Sequence, residues 1–85
     1  MEYLAVAFRS RAHTMKFYEM LKSIGVGGQI INTPKEAGVG CGLSVRVSPQ
    51  SLLTVRRAVR VASLPSFAGI FSVVQYLGRR TVKSI

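Results

Sequence analysis

Short alternating runs, helical runs and turn signals follow one another along this 85-residue chain in the order β-α-β-β-α-β. That order predicts an α+β domain, a ferredoxin-like sandwich with a four-stranded antiparallel sheet and two helices on one face. Three observations carry the prediction. Leu43, Val45 and Val47 alternate with Ser44, Arg46 and Ser48, the cleanest strand signal in the sequence. Apolar residues recur at helical spacing twice, over 14–24 and 52–62. Gly25, the Gly27-Gly28 pair, Pro34 and Pro65 punctuate the intervals between these runs. Two β-α-β units with right-handed crossovers then give the strand order 4-1-3-2. A chain of this length supports one core, so a single domain is expected over 1–77, followed by a basic tail over 78–85.

Each element has its own justification. In residues 2–8, Leu4, Val6 and Phe8 alternate with smaller or more polar neighbours, as in a half-buried first strand. Tyr3, Ala5 and Ala7 then fall on the sheet face without helices, and their modest polarity points to a homodimer through that open face. Ser10 is a favoured N-cap for the helix that follows, in which Thr14, Phe17, Tyr18, Leu21 and Ile24 share one face. Residues 29–33 are short and β-branched, and Pro34, lacking an amide proton, stops that second strand. After the third strand, Ser48-Pro49 supplies a cap and a first-turn proline, and Leu52, Val55, Ala58, Val59 and Ala62 form the stripe of the second helix. Residues 67–77 read as the fourth strand, with Gly69 marking a bulge or a close contact.

Composition narrows the function classes. Twelve Lys and Arg against three Glu give a formal charge of +9, which attracts polyanions, acidic proteins or small anions. Arg56, Arg57 and Arg60 gather on one sector of the second helix and, with Arg79, Arg80 and Lys83, form a candidate polyanion patch. The third strand carries no aromatic on which a base could stack, so nucleic acid would be held electrostatically. No apolar stretch is long enough to cross a membrane, and the first eight residues do not predict a signal peptide. The single cysteine cannot close an internal disulfide and fits a reducing compartment, so the expected location is cytoplasmic. One Cys and one His fall short of a closed metal site, and three Glu with no Asp cannot supply paired catalytic carboxylates beside a serine triad. Neither a metal, a cofactor nor independent catalytic turnover is expected.

The stretch from Thr33 to Gly42 holds the candidate site. Pro34 fixes one backbone angle, and Gly38, Gly40 and Gly42 admit conformations closed to other residues, so the loop turns sharply and carries Cys41 at the mouth of the third strand. The topology puts that strand's start at the end of the sheet where the first strand stops. Cys41 is therefore expected beside Arg9, Ser10, Arg11 and the first turn of helix one, whose partial positive charge would favour thiolate. His13 lies at the same end, as a candidate proton shuttle for the thiol or a solvated surface residue. A lone cysteine in such a domain is more often a small buried hydrophobe, and the flanking glycines favour access.

Phe8 and Ser10 opening the first helix, His13 nearby, and Pro34-Lys35-Glu36 leading to Cys41-Gly42-Leu43 together resemble the selenium/sulfur (Se/S) carrier protein-like family of small bacterial domains of unknown function. The similarity covers about residues 3–75. Where that family has serines before the cysteine, this chain has Gly38, Val39 and Gly40, which leaves backbone amides to face an anionic sulfur. The resemblance implies a carrier: Cys41 accepts sulfur or selenium as a persulfide-type adduct from a donor protein and passes it to an acceptor. Arg9, Arg11 and the helix N-terminus would then stabilise the anion. The alternative from a different class is an adaptor whose arginine surface binds an acidic protein or nucleic acid, with Cys41 structural.

Overall fold

The computed structural model describes residues 1–39 and 41–85. Its strands are β1 (Glu2–Phe8), β2 (Gln29–Asn32), β3 (Leu43–Val47), β4 (Phe67–Tyr76) and β5 (Arg79–Ser84), joined in one antiparallel sheet of order β2-β3-β1-β4-β5. Two helices, α1 (Arg11–Ser23) and α2 (Leu52–Ala62), complete the α+β fold. The expectation of a four-stranded ferredoxin-like sheet in order 4-1-3-2 is thus corrected to a five-stranded sheet. Residues 79–84, expected as a basic tail, are β5, paired with β4 from Tyr76↔Arg79 to Phe71↔Ser84. Leu77 and Gly78 join the two strands with φ of 51° and 76°, the type I′ pattern whose twist suits a two-residue hairpin. Charge had concealed this strand, because Val82 is its one apolar side chain.

One core lies between the sheet and the helices. Leu4, Val6 and Phe8 of β1, Val45 and Val47 of β3 and Ile70 of β4 pack there against Phe17 and Leu21 of α1 and Val55 and Ala58 of α2. Ser10 caps α1 by accepting from the His13 amide at 3.2 Å. The other end closes as a Schellman motif, in which Val26 N–H donates to the Leu21 carbonyl at 2.9 Å and Gly25 N–H to that of Lys22 at 3.1 Å. Ile24, placed on the apolar face by spacing, is the C-cap and is half exposed because the helix stops before it. The register of β1 against β4 shifts between Ala7 and Phe8, beside Gly69. Gly69 has φ of 139° and faces the Phe71 ring, so an added Cβ would sit 3.3 Å from two ring carbons.

The second face is not open. Tyr3, Ala5 and Ala7, expected there as an exposed surface, are 8%, 0% and 0% accessible, so β1 is buried on both sides rather than half-buried. Tyr3, Ala5 and Val73 form a small second core with Ile31 from β2 and Val82 from β5. The β2–β3 connection covers it: leaving β2 at one edge of the sheet, it places a 3₁₀ turn at Lys35–Ala37 against β5 at the other edge. Pro34 is a buried residue of this strap. Thr33 Oγ1 and Ser44 Oγ, 2.7 Å apart, satisfy each other beside it.

Candidate functional site

Three segments meet where β1 ends. Phe8 anchors the junction, its ring 5.2 Å from that of Phe17 and 5.7 Å from that of Phe67, while its carbonyl accepts from the Cys41 amide at 3.1 Å. The strap is thereby tied to β1 at the cysteine itself. Thr33 N–H donates to the Gly42 carbonyl at 2.8 Å, closing the base of the loop. Gly38 and Gly42 have φ of 65° and 97°, and a Cβ at either would meet nothing within 4 Å, so the backbone angles and not crowding favour glycine there. Cys41 is exposed. Gly40, a predicted site residue, lies outside the described residues.

Among the described residues, two oxygens lie within hydrogen-bonding range of the sulfur. Thr14 Oγ1, in the first turn of α1, and the Leu43 carbonyl oxygen are each 3.8 Å from Sγ, the long end of the range for sulfur. A carbonyl only accepts, so it takes the S–H proton; the Thr14 hydroxyl can do either. Thr14 is fully buried and also reaches the Ser10 carbonyl at 3.2 Å and that of Leu43 at 3.4 Å. It links the sulfur to the cap of α1.

The predicted residues separate into groups. Ser10 caps α1, and its own N–H donates to Ser66 Oγ at 3.2 Å. His13 Nδ1 is 2.6 Å from the same Ser66 Oγ, and Arg9 N–H donates to the Ser66 carbonyl at 2.8 Å. Ser66 Oγ, with one proton and two lone pairs, thus accepts from Ser10 and shares a further hydrogen bond with His13 Nδ1. The side chains of Arg9 and Arg11 are exposed and make no hydrogen bond to Sγ among the described residues. Lys35 is exposed, whereas Glu36 is bound by Arg80 of β5, with Nη2 2.8 Å from Oε1 and Nε 3.1 Å from Oε2. That hydrogen bond lowers the Glu36 carboxyl pKa below its ordinary value, and Glu36 in turn raises that of Arg80. Arg56 and Arg60 line a cavity between α2 and β4, while the equally exposed Arg57 does not.

Sequence reasoning missed Thr14, Ser66 and the pairing of Arg80, a polyanion-patch candidate, with Glu36. Thr14 had a legible signal, a hydroxyl at a position where the helical stripe is otherwise apolar. Ser66 and Arg80 had none, because their partners His13 and Glu36 lie 53 and 44 residues away. Among the described residues no three His, Cys, Asp or Glu side chains converge as a metal site would require. Among the described residues no helix is long and apolar enough to cross a membrane. No curated protein and no solved structure matches the chain. A family model does match, over residues 3–68, which takes in α1, the strap, Cys41 and α2. The chain belongs to the family described as "Putative Se/S carrier protein-like".

Proposed function

We propose that Cys41 carries sulfur or selenium between a donor and an acceptor protein. The observation that supports this most is the exposure of the family's cysteine on a loop fixed to the end of β1, with its sulfur beside the first turn of α1. Loading is a balanced exchange. The Cys41 thiolate attacks the outer sulfur of a donor persulfide, a new S–S bond forms, the donor S–S bond breaks, and the donor leaves as thiolate. Before the attack, Thr14 can turn its hydroxyl from the Ser10 carbonyl to the Cys41 thiolate, whose Sγ lies 3.8 Å from Oγ1. Arg9 and Arg11 supply long-range positive potential, and the exposed thiol loses its proton to solvent. Gly38 and Gly42 project no side chain that could hinder a donor. The test is incubation of the native protein and of Cys41→Ser with a small-molecule persulfide, followed by intact-mass measurement. The added sulfur appears on the native protein and not on the variant.

A second reading has its own observation. Arg56, Arg57 and Arg60 are exposed on α2 with no acidic partner within 4.0 Å among the described residues, in a chain of charge +9. This favours binding of an acidic protein or nucleic acid through the arginine surface, with Cys41 structural. Such binding weakens steeply as salt rises and persists in Cys41→Ser.

A further inference from the structure

Two helices packed ~10 Å apart cover about four strands spaced ~4.8 Å apart, and the fifth strand here widens the sheet beyond that cover. Between α2 and β4 lies a cavity of about 300 Å³ lined by Arg56, Val59 and Arg60 of α2, by Phe67, Gly69 and Ile70 of β4, and by Ile85. Ile85 is fixed there because its N–H donates to the Ile70 carbonyl at 2.9 Å.

The lining divides by chemistry. Val59, Phe67, Ile70 and Ile85 make an apolar floor. Arg56 and Arg60 stand one helical turn apart on the same side of α2, and both line the cavity. Neither has a carboxylate within 4.0 Å among the described residues, where the ion pairs are Glu19–Lys22 and Glu36–Arg80. A guanidinium presents a planar fork of donors that matches a carboxylate. An inorganic anion would satisfy the arginines and leave the floor wet; a neutral hydrocarbon would cover the floor and leave both cations unmatched.

We propose that this cavity binds a small amphiphilic carboxylate, with its hydrocarbon body on the floor formed by Ile70, Phe67 and Ile85 and its carboxylate held between Arg56 and Arg60. The site is independent of Cys41 and of any sulfur chemistry.

The test is a titration of the labelled protein with octanoate, followed by amide NMR, with octanol and inorganic phosphate as matched probes. Octanoate should give saturable shifts at Val59, Phe67, Gly69 and Ile70. Octanol and phosphate should each bind at least about tenfold more weakly, since each makes only half of the contacts. Arg56→Gln with Arg60→Gln should weaken octanoate binding by at least about tenfold, whereas Arg57→Gln, which removes a charge outside the cavity, should leave it within about twofold. Amides of β2 and β3 report that each variant is folded. Shifts absent from those four residues, octanol or phosphate matching octanoate, or equal losses from Arg57→Gln and the double variant would overturn the proposal, and the probe series on the native protein decides it without any variant.

Discussion

Arg80 holds both carboxylate oxygens of Glu36, binding the fifth strand to the strap that carries Cys41. Glu36 lies inside the stretch shared with the family, residues 3–68, and Arg80 lies outside it. The basic C-terminal segment therefore does a structural task on the loop: it closes the second face over Tyr3, Ala5 and Val73. Both side chains are partly solvated, so the pair contributes little on its own and is screened by salt.

The sign of its pH dependence follows from the depressed Glu36 carboxyl. Its contribution is fully present above the ordinary carboxylate value and is lost as the pH falls through the lower folded-state value. The raised Arg80 value places the corresponding loss on the cationic side only in strong alkali. The melting temperature of the native protein should therefore exceed that of Glu36→Gln by a small margin at neutral pH, with the margin closing in acid. A margin of equal size at both would mean that the ion pair is not its source.

The β4–β5 hairpin contains a local conflict. Leu77 is 83% exposed and has φ of 51°, a left-handed conformation that costs a β-carbon residue about 1–2 kcal/mol. Asparagine tolerates it better, and Leu77→Asn would create the Asn-Gly pair that type I′ turns favour. Urea denaturation should show the variant more stable by about 1 kcal/mol, with an unchanged denaturant slope.

Thr14 is expected to act on the sulfur through the hydroxyl that also reaches the Ser10 and Leu43 carbonyls. Valine keeps its shape and branching but has no hydroxyl to offer the anion. Thr14→Val should slow persulfide loading by about tenfold, the value of one hydrogen bond to a charged group at ~1.5 kcal/mol. Its exposed thiol should still react with a neutral alkylating reagent when unfolded, at the rate of the unfolded native protein. Equal loading rates in the two folded proteins would remove Thr14 from the mechanism.

Much of this fold is legible in the residues, for identifiable reasons. β3 alternates cleanly, Ser10 is a cap in sequence and in space, and Gly69 sits at the register shift that its residue type suggested. β5 is not legible, because Arg79, Arg80 and Lys83 mask an alternation that only pairing with β4 reveals. The burial of Tyr3, Ala5 and Ala7 has the same origin: a strap that crosses the sheet cannot be inferred from β1 itself. The approach of Cys41 to the first turn of α1 follows from topology, whereas the side chain that reaches the sulfur, Thr14, depends on helix phase and strand register together.

The most direct measurement of the central claim is the intact mass of the native protein after exposure to a persulfide donor, and again after addition of an acceptor thiol. The account predicts one added sulfur, confined by fragmentation to Cys41, that disappears when the acceptor is supplied. A mass that never changes while Cys41 stays open to alkylation would contradict it.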